Sequence, residues 1–226
     1  MIEYTAVSKS FNRNDCEELN KYLQKKTLGK GRYGHVQEVC KKKYKDCDYA
    51  LKIIKVDRED RKIYPHSSSF NTSEQYLGWE NEVEILHQLN ECQDYKRVKL
   101  VPKLIDAWYC NDKNDRYIYF YILMEKYNGT LKGFLKLGRY SEAIKIALIT
   151  ALENLYLKLR ILHDDCNICL NDIHLDNILY KKVGEFKYEF VFADVGNAIF
   201  VCHEEDKRDD ERALERAINK FEKNLT

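Results

Sequence analysis

Short alternating and apolar runs predict β-strands in the first half of the chain. Residues 34–40 alternate between polar and apolar side chains, and residues 49–56 are apolar at most positions. Alternation is typical of a half-buried strand, whereas a continuous apolar run is typical of a strand buried on both faces. Similar runs cover 104–109 and 117–125. Together these runs predict a β-sheet.

Apolar residues that recur every three or four positions predict helices, most of them in the second half. The predicted helices are 77–90, 141–162, where Ser141 is a candidate N-cap, and 209–225. A strand-rich first half followed by a helix-rich second half favours an α+β fold with two lobes. We therefore divide the chain into an N-terminal extension, a strand-rich domain and a reduced helical domain: 1–24, 25–127 and 128–226.

Charge and composition exclude several classes of protein. The chain has 226 residues, with 38 Lys and Arg against 37 Asp and Glu, so its formal net charge is +1. A nucleic-acid partner is not expected, because such partners require a broad basic surface. The chain begins without a leader-like apolar segment and has no run of about 20 apolar residues, so neither secretion nor membrane insertion is expected.

Eight cysteines are scattered along the chain. A chain of this length does not depend on disulfides for its stability, so we expect reduced thiols and a cytoplasmic or nuclear location. Cys166-x-x-Cys169 with the nearby His163 has metal-like spacing. One such pair without a second favours ordinary packing over a zinc site.

A glycine-rich segment lies between two strand-like runs. It places Gly29, Gly31 and Gly34 ahead of Val36 with the spacing Gly-x-Gly-x-x-Gly-x-Val. Glycines let backbone amides approach phosphate oxygens, because no Cβ intervenes. In a dinucleotide-binding loop a helix follows the glycines, whereas a strand-like run follows here, so that class is disfavoured. A plain glycine-rich β-turn is the alternative interpretation.

Lys52 stands inside an apolar run, two residues after Ala50. A lysine among buried aliphatic side chains has a high desolvation cost unless a carboxylate or a phosphate pairs with it. The pattern therefore predicts an anionic partner for Lys52. The alternative is that Lys52 faces solvent at a sheet edge.

Three polar residues with oxygen-bearing side chains give the strongest chemical signal. Asp172 and Asn177 stand five residues apart, and Asp194 follows at the start of Asp-Val-Gly. Phosphoryl transfer needs a carboxylate that orients the attacking hydroxyl and oxygen ligands that hold Mg²⁺ on the phosphates. These three residues are of the types that this chemistry requires.

In this order, over residues 28–196, the motifs resemble the eukaryotic-type protein kinase superfamily. The resemblance implies ATP and Mg²⁺ bound between two lobes. It implies that Asp172 is the catalytic base and that Asn177 and Asp194 are the metal ligands. The glycine-rich loop and Lys52 would then hold the triphosphate.

The resemblance also assigns residues around the nucleotide. Glu82 would pair with Lys52, with Glu80 and Glu84 as competitors on the same predicted helix. The segment after 117–125 resembles the interlobe hinge, which makes Met124 the gatekeeper and places the backbone of Glu125 and Tyr127 against adenine. Val36 and Ala50 join the same nucleotide site. A buried edge strand that leads into a turn is the alternative interpretation of the hinge segment.

The catalytic segment departs from the family pattern at three positions. Leu170 and Asn171 replace the usual His-Arg, so regulation by activation-loop phosphorylation is not expected. His174 replaces a lysine that is common in Ser/Thr kinases, and Asp-x-His-x-x-Asn is similar to choline and aminoglycoside phosphotransferases. We assign His174 a catalytic role as a protonated donor to the γ-phosphate, which predicts a rate that falls as rising pH removes its proton.

The chain is also shorter than the family pattern, with 32 residues after Asp194 and no Ala-Pro-Glu segment. This resembles minimal kinases of the RIO type, and the Lys-, Asn-, Ile- and Tyr-rich composition is similar to compact kinases of large DNA viruses, which would act in the host cytoplasm. We expect Asp209 or Asp210 to accept hydrogen bonds from the catalytic loop while capping the last helix. An ordinary N-cap is the alternative.

The sequence thus favours a Ser/Thr protein kinase with ATP, Mg²⁺ and a protein substrate, present as a monomer or weak dimer. Two alternatives stay open. One is a small-molecule phosphotransferase, which His174 and the missing segment support. The other is a kinase-like module that binds a partner without catalysis.

Overall fold

Sheets and helices are combined in an α+β fold, as the sequence predicts. The computed structural model describes residues 13–30, 34–43, 46–57, 74–112, 114, 116–138 and 140–225. The chain divides into two units, the first comprising Met1–His87 and Lys103–Lys126, and the second comprising Gln88–Pro102 and Tyr127–Thr226. In the described part of the chain, no helix is long and apolar enough to cross a membrane.

The first unit contains a five-stranded antiparallel sheet with the strand order β1-β2-β3-β5-β4. Its strands are β1 (Tyr22–Lys30), β2 (Gly34–Lys41), β3 (Asp46–Asp57), β4 (Leu104–Asn111) and β5 (Tyr117–Glu125). The four strands predicted from the sequence are confirmed. The most apolar runs, β3 and β5, pair with each other inside the sheet, because buried strands carry apolar side chains on both faces.

Helix α1 (Glu74–Lys96) packs its first half against this sheet. The ring of Trp79 lies 5.0 Å from that of Phe120, and the indole Nε1 donates a hydrogen bond to the Tyr121 carbonyl at 3.3 Å. Val83 and Leu86 are buried on the same helix. This packing fixes the rotation of the helix, and therefore the direction in which Glu82 points.

The second unit has two main helices and two small sheets. The helices are the short α2 (Leu131–Phe134), α3 (Glu142–Arg160), which continues as a π-helical turn over Ile161–Asp165, and α4 (Glu204–Lys223). The predicted cap of α3 is confirmed, since the Ser141 hydroxyl accepts a hydrogen bond from the Ile144 amide. Helix α4 begins five residues before its predicted start, because its first turn is entirely polar and has no apolar periodicity.

Short strands flank the loops that carry the candidate catalytic residues. Strands β6 (Gly129–Thr130), β8 (Ile178–Gly184) and β9 (Lys187–Phe192) form one antiparallel sheet. Strands β7 (Ile168–Cys169) and β10 (Ile199–Phe200) form the other. The loop between β7 and β8 and the segment between β9 and β10 are thus each anchored at both ends.

All eight cysteines are paired, so the expectation of reduced thiols is wrong. The disulfides are Cys16–Cys110, Cys40–Cys47, Cys92–Cys166 and Cys169–Cys202. Most partners are far apart in sequence, with separations of 94, 74 and 33 residues in three of the pairs. Only the fold brings such residues together, so their spacing gave no sign of pairing. The cysteine content therefore no longer supports a cytoplasmic or nuclear location.

Candidate active site

Lys52 on β3 has the carboxylate partner that the sequence requires. Its Nζ lies 2.7 Å and 2.8 Å from the two carboxylate oxygens of Glu82 on α1. Both side chains are largely buried, at 18% and 6% exposure, so the alternative of a solvent-facing lysine is wrong. The prediction of Glu82 over Glu80 and Glu84 is confirmed. A buried lysine paired in this way presents a positive charge at a fixed position.

Four predicted nucleotide-site residues share one face of the sheet. Val36 is directly opposite Lys52, and Ala50 is directly opposite Met124. Directly paired residues point to the same face of a sheet, as do residues two apart on one strand. Val36, Ala50, Lys52 and Met124 therefore form one continuous patch across β2, β3 and β5.

The predicted hinge begins where β5 ends. The Glu125 amide donates to the Lys103 carbonyl at 2.9 Å, so any contact of Glu125 with a bound base would use its carbonyl. Tyr127, which is buried, is the first residue of the second unit in this part of the chain.

The glycines of the predicted phosphate loop differ in what surrounds them. Gly29 lies near the end of β1 and is paired with Val36, and a Cβ added to it would meet no atom within 4 Å. Gly34 opens β2, and a Cβ there would lie 2.1 Å from the Ile53 carbonyl oxygen. Gly31 lies outside the described residues. Gly34 is thus required by the close approach of β3, whatever its part in phosphate binding.

Replacing Gly34 with alanine is expected to destabilise the first unit by about 1–3 kcal/mol, since the methyl group forces β2 and β3 apart. Gly29→Ala is the matched control and should change stability by about 0.5 kcal/mol or less. Both tryptophans of the chain, Trp79 and Trp108, belong to the first unit, so urea unfolding followed by tryptophan fluorescence reports on that unit. Equal midpoints for the two variants would contradict the expectation.

Asp172 and Asn177 are in contact within the loop between β7 and β8. The Asn177 Nδ2 donates to Asp172 Oδ2 at 3.2 Å and to the Asp172 carbonyl at 3.1 Å. The backbone amide of Asn177 donates to the His174 carbonyl at 2.8 Å. Asn177 is 9% exposed, whereas the Asp172 side chain is 37% exposed. The loop thus holds a partly accessible carboxylate against a buried amide.

Asp194 is brought to the same end of the β8–β9 sheet. Ile178 at the start of β8 pairs with Phe192 at the end of β9, and the Ala193 amide donates to the Asn177 carbonyl at 2.8 Å. Asn177, just before β8, and Asp194, just after β9, therefore lie at the same end of the sheet. Asp194 has left-handed backbone angles, φ 56° and ψ 69°, and Asn171 has φ 59°. Such angles cost about 1–3 kcal/mol for non-glycine residues and are concentrated at functional sites.

The residues at this sheet end fit a magnesium ion. Mg²⁺ prefers oxygen ligands and is usually held by one or two protein side chains together with phosphate oxygens and water. The Asp194 carboxylate and the Asn177 Oδ1 are two groups of this type. The Asn177 Nδ2 is engaged with Asp172, so Oδ1 is the atom that can act as a ligand.

His174 contacts the candidate base itself. Its Nε2 lies 3.4 Å from Asp172 Oδ1, while its Nδ1 accepts a hydrogen bond from the Asp176 amide at 3.2 Å. Its Nε2 thus faces the Asp172 carboxylate, and the role of His174 as a donor to the γ-phosphate stays a prediction.

Asp210 on α4 anchors the start of the loop between β7 and β8. Its carboxylate accepts hydrogen bonds from the amides of Leu170 at 2.7 Å and Asn171 at 2.8 Å, and it contacts His163 Nε2 at 3.1 Å. The prediction of an aspartate that accepts bonds from the catalytic loop is confirmed for Asp210. The N-cap interpretation is wrong, because α4 begins at Glu204 with His203 as its N-cap residue.

Sequence reasoning missed two residues of this site. Asn197 donates from Nδ2 to Asp172 Oδ2 at 3.3 Å, and the segment that contains it has no periodicity to mark it. His163 was considered only for a zinc site. It lies near Cys169 and Cys202, with ligand atoms within 4.8 Å, but those cysteines form a disulfide and His163 contacts Asp210.

The sequence was compared with protein-family models and with curated proteins. No family model matches it, and no curated protein matches it. The function is therefore inferred from the residues and from their geometry.

Proposed function

We propose that this protein is an ATP-dependent protein kinase that transfers the γ-phosphate to Ser or Thr hydroxyls of a protein substrate. The arrangement of Asp172, Asn177 and Asp194 at one end of the β8–β9 sheet carries the proposal. It offers a carboxylate for the acceptor hydroxyl beside two oxygen ligands for Mg²⁺, which are the groups that phosphoryl transfer requires.

In this proposal the first unit binds the nucleotide. The Lys52 ammonium, which Glu82 orients, would contact the phosphates through charge-assisted hydrogen bonds. Val36, Ala50 and Met124 offer the apolar surface beside Lys52 on which adenine can rest. The carbonyl of Glu125 would accept a hydrogen bond from the exocyclic amine of the base.

The second unit performs the transfer. Asn177 and Asp194 would hold a Mg²⁺ ion, whose charge would offset the negative charge on the phosphates. Asp172 orients the acceptor hydroxyl towards the γ-phosphate and takes its proton. Its partial exposure lets a substrate side chain reach it.

A protein acceptor is favoured because the glycine-rich segment and the Lys52–Glu82 pair resemble those of protein kinases. The labelled-phosphate experiment described next also tests the two alternatives, a small-molecule phosphotransferase and a non-catalytic binding module. A two-lobed kinase arrangement with a reduced second lobe is part of this proposal.

The test is transfer of labelled γ-phosphate from Mg-ATP to the protein itself and to a generic basic protein. Asp172→Ala and Asp194→Asn are expected to lower the rate by roughly 10²–10⁴-fold, as loss of a general base or of a metal ligand does. Asp164→Asn is the control, because that exposed carboxylate pairs with Lys207 and not with the catalytic loop. Phosphoserine or phosphothreonine that disappears in the first two variants alone supports the proposal.

Other outcomes contradict it. Tight Mg-ATP binding with phosphate transfer to small alcohols, and none to protein, would identify a small-molecule phosphotransferase. Absence of Mg-ATP binding would favour the non-catalytic binding module.

A further inference from the structure

The two carboxylate oxygens of Asp172 have different surroundings. Oδ2 receives two amide donors, the Nδ2 atoms of Asn177 at 3.2 Å and Asn197 at 3.3 Å. Oδ1 has the His174 Nε2 at 3.4 Å. A carboxylate oxygen has two lone-pair directions, so two donors saturate Oδ2, while Oδ1 keeps one direction for another hydrogen bond. The two amides therefore determine which oxygen can meet an acceptor hydroxyl.

Asn197 is itself held in place. It ends the 3₁₀ turn Val195–Asn197, which follows Asp194 directly and is fixed by the buried Val195 side chain. The Asn197 carbonyl accepts a hydrogen bond from Asn171 Nδ2 at 3.4 Å. Asn171 is anchored in turn by the hydrogen bond that its backbone amide donates to the Asp210 carboxylate. A chain of hydrogen bonds thus runs from the buried carboxylate on α4 to the side chain of Asp172.

We propose that Asn197 is a positioning residue for the phosphoryl transfer, which orients Asp172 so that Oδ1 faces the acceptor hydroxyl. This inference rests on the proposed kinase function. Asn197 touches neither the nucleotide nor the acceptor in this role and acts through Asp172 alone.

The acceptor oxygen forms a bond to the γ-phosphorus while the bond from that phosphorus to the β–γ bridging oxygen breaks, and the leaving group is ADP. The hydroxyl proton passes to Asp172 Oδ1 and is later released to water. A base that can rotate presents Oδ1 only part of the time, so orientation by Asn197 raises the fraction of reactive complexes.

Asn197 also links this orientation to the metal loop. It lies three residues after Asp194, within the turn that Asp194 opens. The turn that Asp194 opens therefore also carries an amide that bonds to the proposed base.

The experiment compares kcat and the KM for ATP in Asn197→Asp, Asn197→Ala and Asn197→Gln. The first two variants lack the side-chain N–H donor. They are expected to lower kcat about 10–100-fold, which corresponds to the free energy of one hydrogen bond to a charged group. Their KM for ATP should stay within about twofold of the wild-type value. Asn197→Gln keeps an amide and should recover part of kcat. Asn154→Ala, which removes an α3 amide bonded to the Thr150 carbonyl, is the control for loss of a surface amide.

A double-mutant cycle separates positioning from a structural role. In the Asp172→Ala background, Asn197→Asp is expected to have no further effect on the residual rate, because its partner is gone. Equal thermal midpoints for wild type, Asn197→Asp and Asn197→Gln verify that the variants fold. An unchanged kcat in Asn197→Asp, or an undiminished effect in the Asp172→Ala background, overturns the inference while wild-type transfer still upholds the kinase proposal. Absence of transfer in the wild type overturns both.

Discussion

Replacing Asp210 with alanine is expected to destabilise the second unit by about 3–5 kcal/mol, because a buried charged acceptor is removed while its partners stay buried. Asp210 is 1% exposed and accepts hydrogen bonds from the backbone amides of Leu170 and Asn171. Each amide left without an acceptor costs about 1–3 kcal/mol. His163 loses its partner as well. Amide hydrogen exchange of the whole protein, followed in a peptide that contains Leu170 and Asn171, measures how much protection these two amides lose.

Asp209→Ala is the matched control for this prediction. Asp209 is adjacent on the same helix, but its side chain is 68% exposed and contacts Arg212. Its loss should change stability by about 0.5 kcal/mol or less. If exchange at Leu170 and Asn171 were equally fast in both variants, the role given to the Asp210 hydrogen bonds would be wrong.

The second large effect concerns Lys158, which is buried. Among the described residues, no carboxylate forms an ion pair with its ammonium at hydrogen-bonding distance. Lys158 on α3 is 8% exposed, and its Nζ donates to the Phe190 carbonyl. Desolvation lowers the pKa of Lys158 to about 8 from its ordinary 10.5, although Glu189 acts in the opposite direction. At 1.36 kcal/mol per pH unit, this shift means that the charged lysine costs the folded state roughly 3 kcal/mol.

Replacing Lys158 with methionine should therefore stabilise the protein at pH 7, by about 2 kcal/mol after the lost hydrogen bond is subtracted. The cost of the wild-type lysine is present in full below pH 8, where both the folded and the unfolded forms are protonated. Between pH 8 and 10.5 the folded form loses its proton while the unfolded form keeps it, so wild-type stability rises with pH.

The measurement is the difference in unfolding free energy between Lys158→Met and wild type at several pH values. Other titrating groups contribute equally to both proteins and cancel in this difference. We expect the advantage of the methionine variant to fall by about 3 kcal/mol between pH 7 and pH 10.5. A difference independent of pH would show that burial of Lys158 does not penalise its charge.

Parts of the fold and site could be predicted because the pattern of neighbouring residues was sufficient to indicate them. The apolar runs around β3 and β5 fit strands buried on both faces, and a lone Lys52 inside one of them requires an anion. The choice of Glu82 over Glu80 and Glu84 depended on the resemblance. Helical spacing alone could not decide it, because the rotation of α1 is set by Trp79 and its neighbours in the sheet.

Other parts depend on contacts between residues distant in sequence. The last turns of α1 lie beyond its predicted end. Gln93 is buried in these turns and accepts hydrogen bonds from the Leu100 and Val101 amides. Because Gln93 is polar, it adds nothing to the apolar periodicity from which the helix was predicted. Asn197 meets Asp172 only after the β8–β9 hairpin has turned the chain back. The cysteine pairs depend in the same way on the finished fold.

The Cys169–Cys202 disulfide closes a covalent ring that includes the proposed catalytic residues. The ring spans 33 residues of sequence separation and contains Asp172, His174, Asn177, Asp194 and Asn197. In the chain-entropy description, a ring of this size raises the free energy of the opened chain by roughly 3–4 kcal/mol through its lost entropy. Reduction and re-formation of this one bond would thus alter how often this segment opens without changing any of the side chains that it carries.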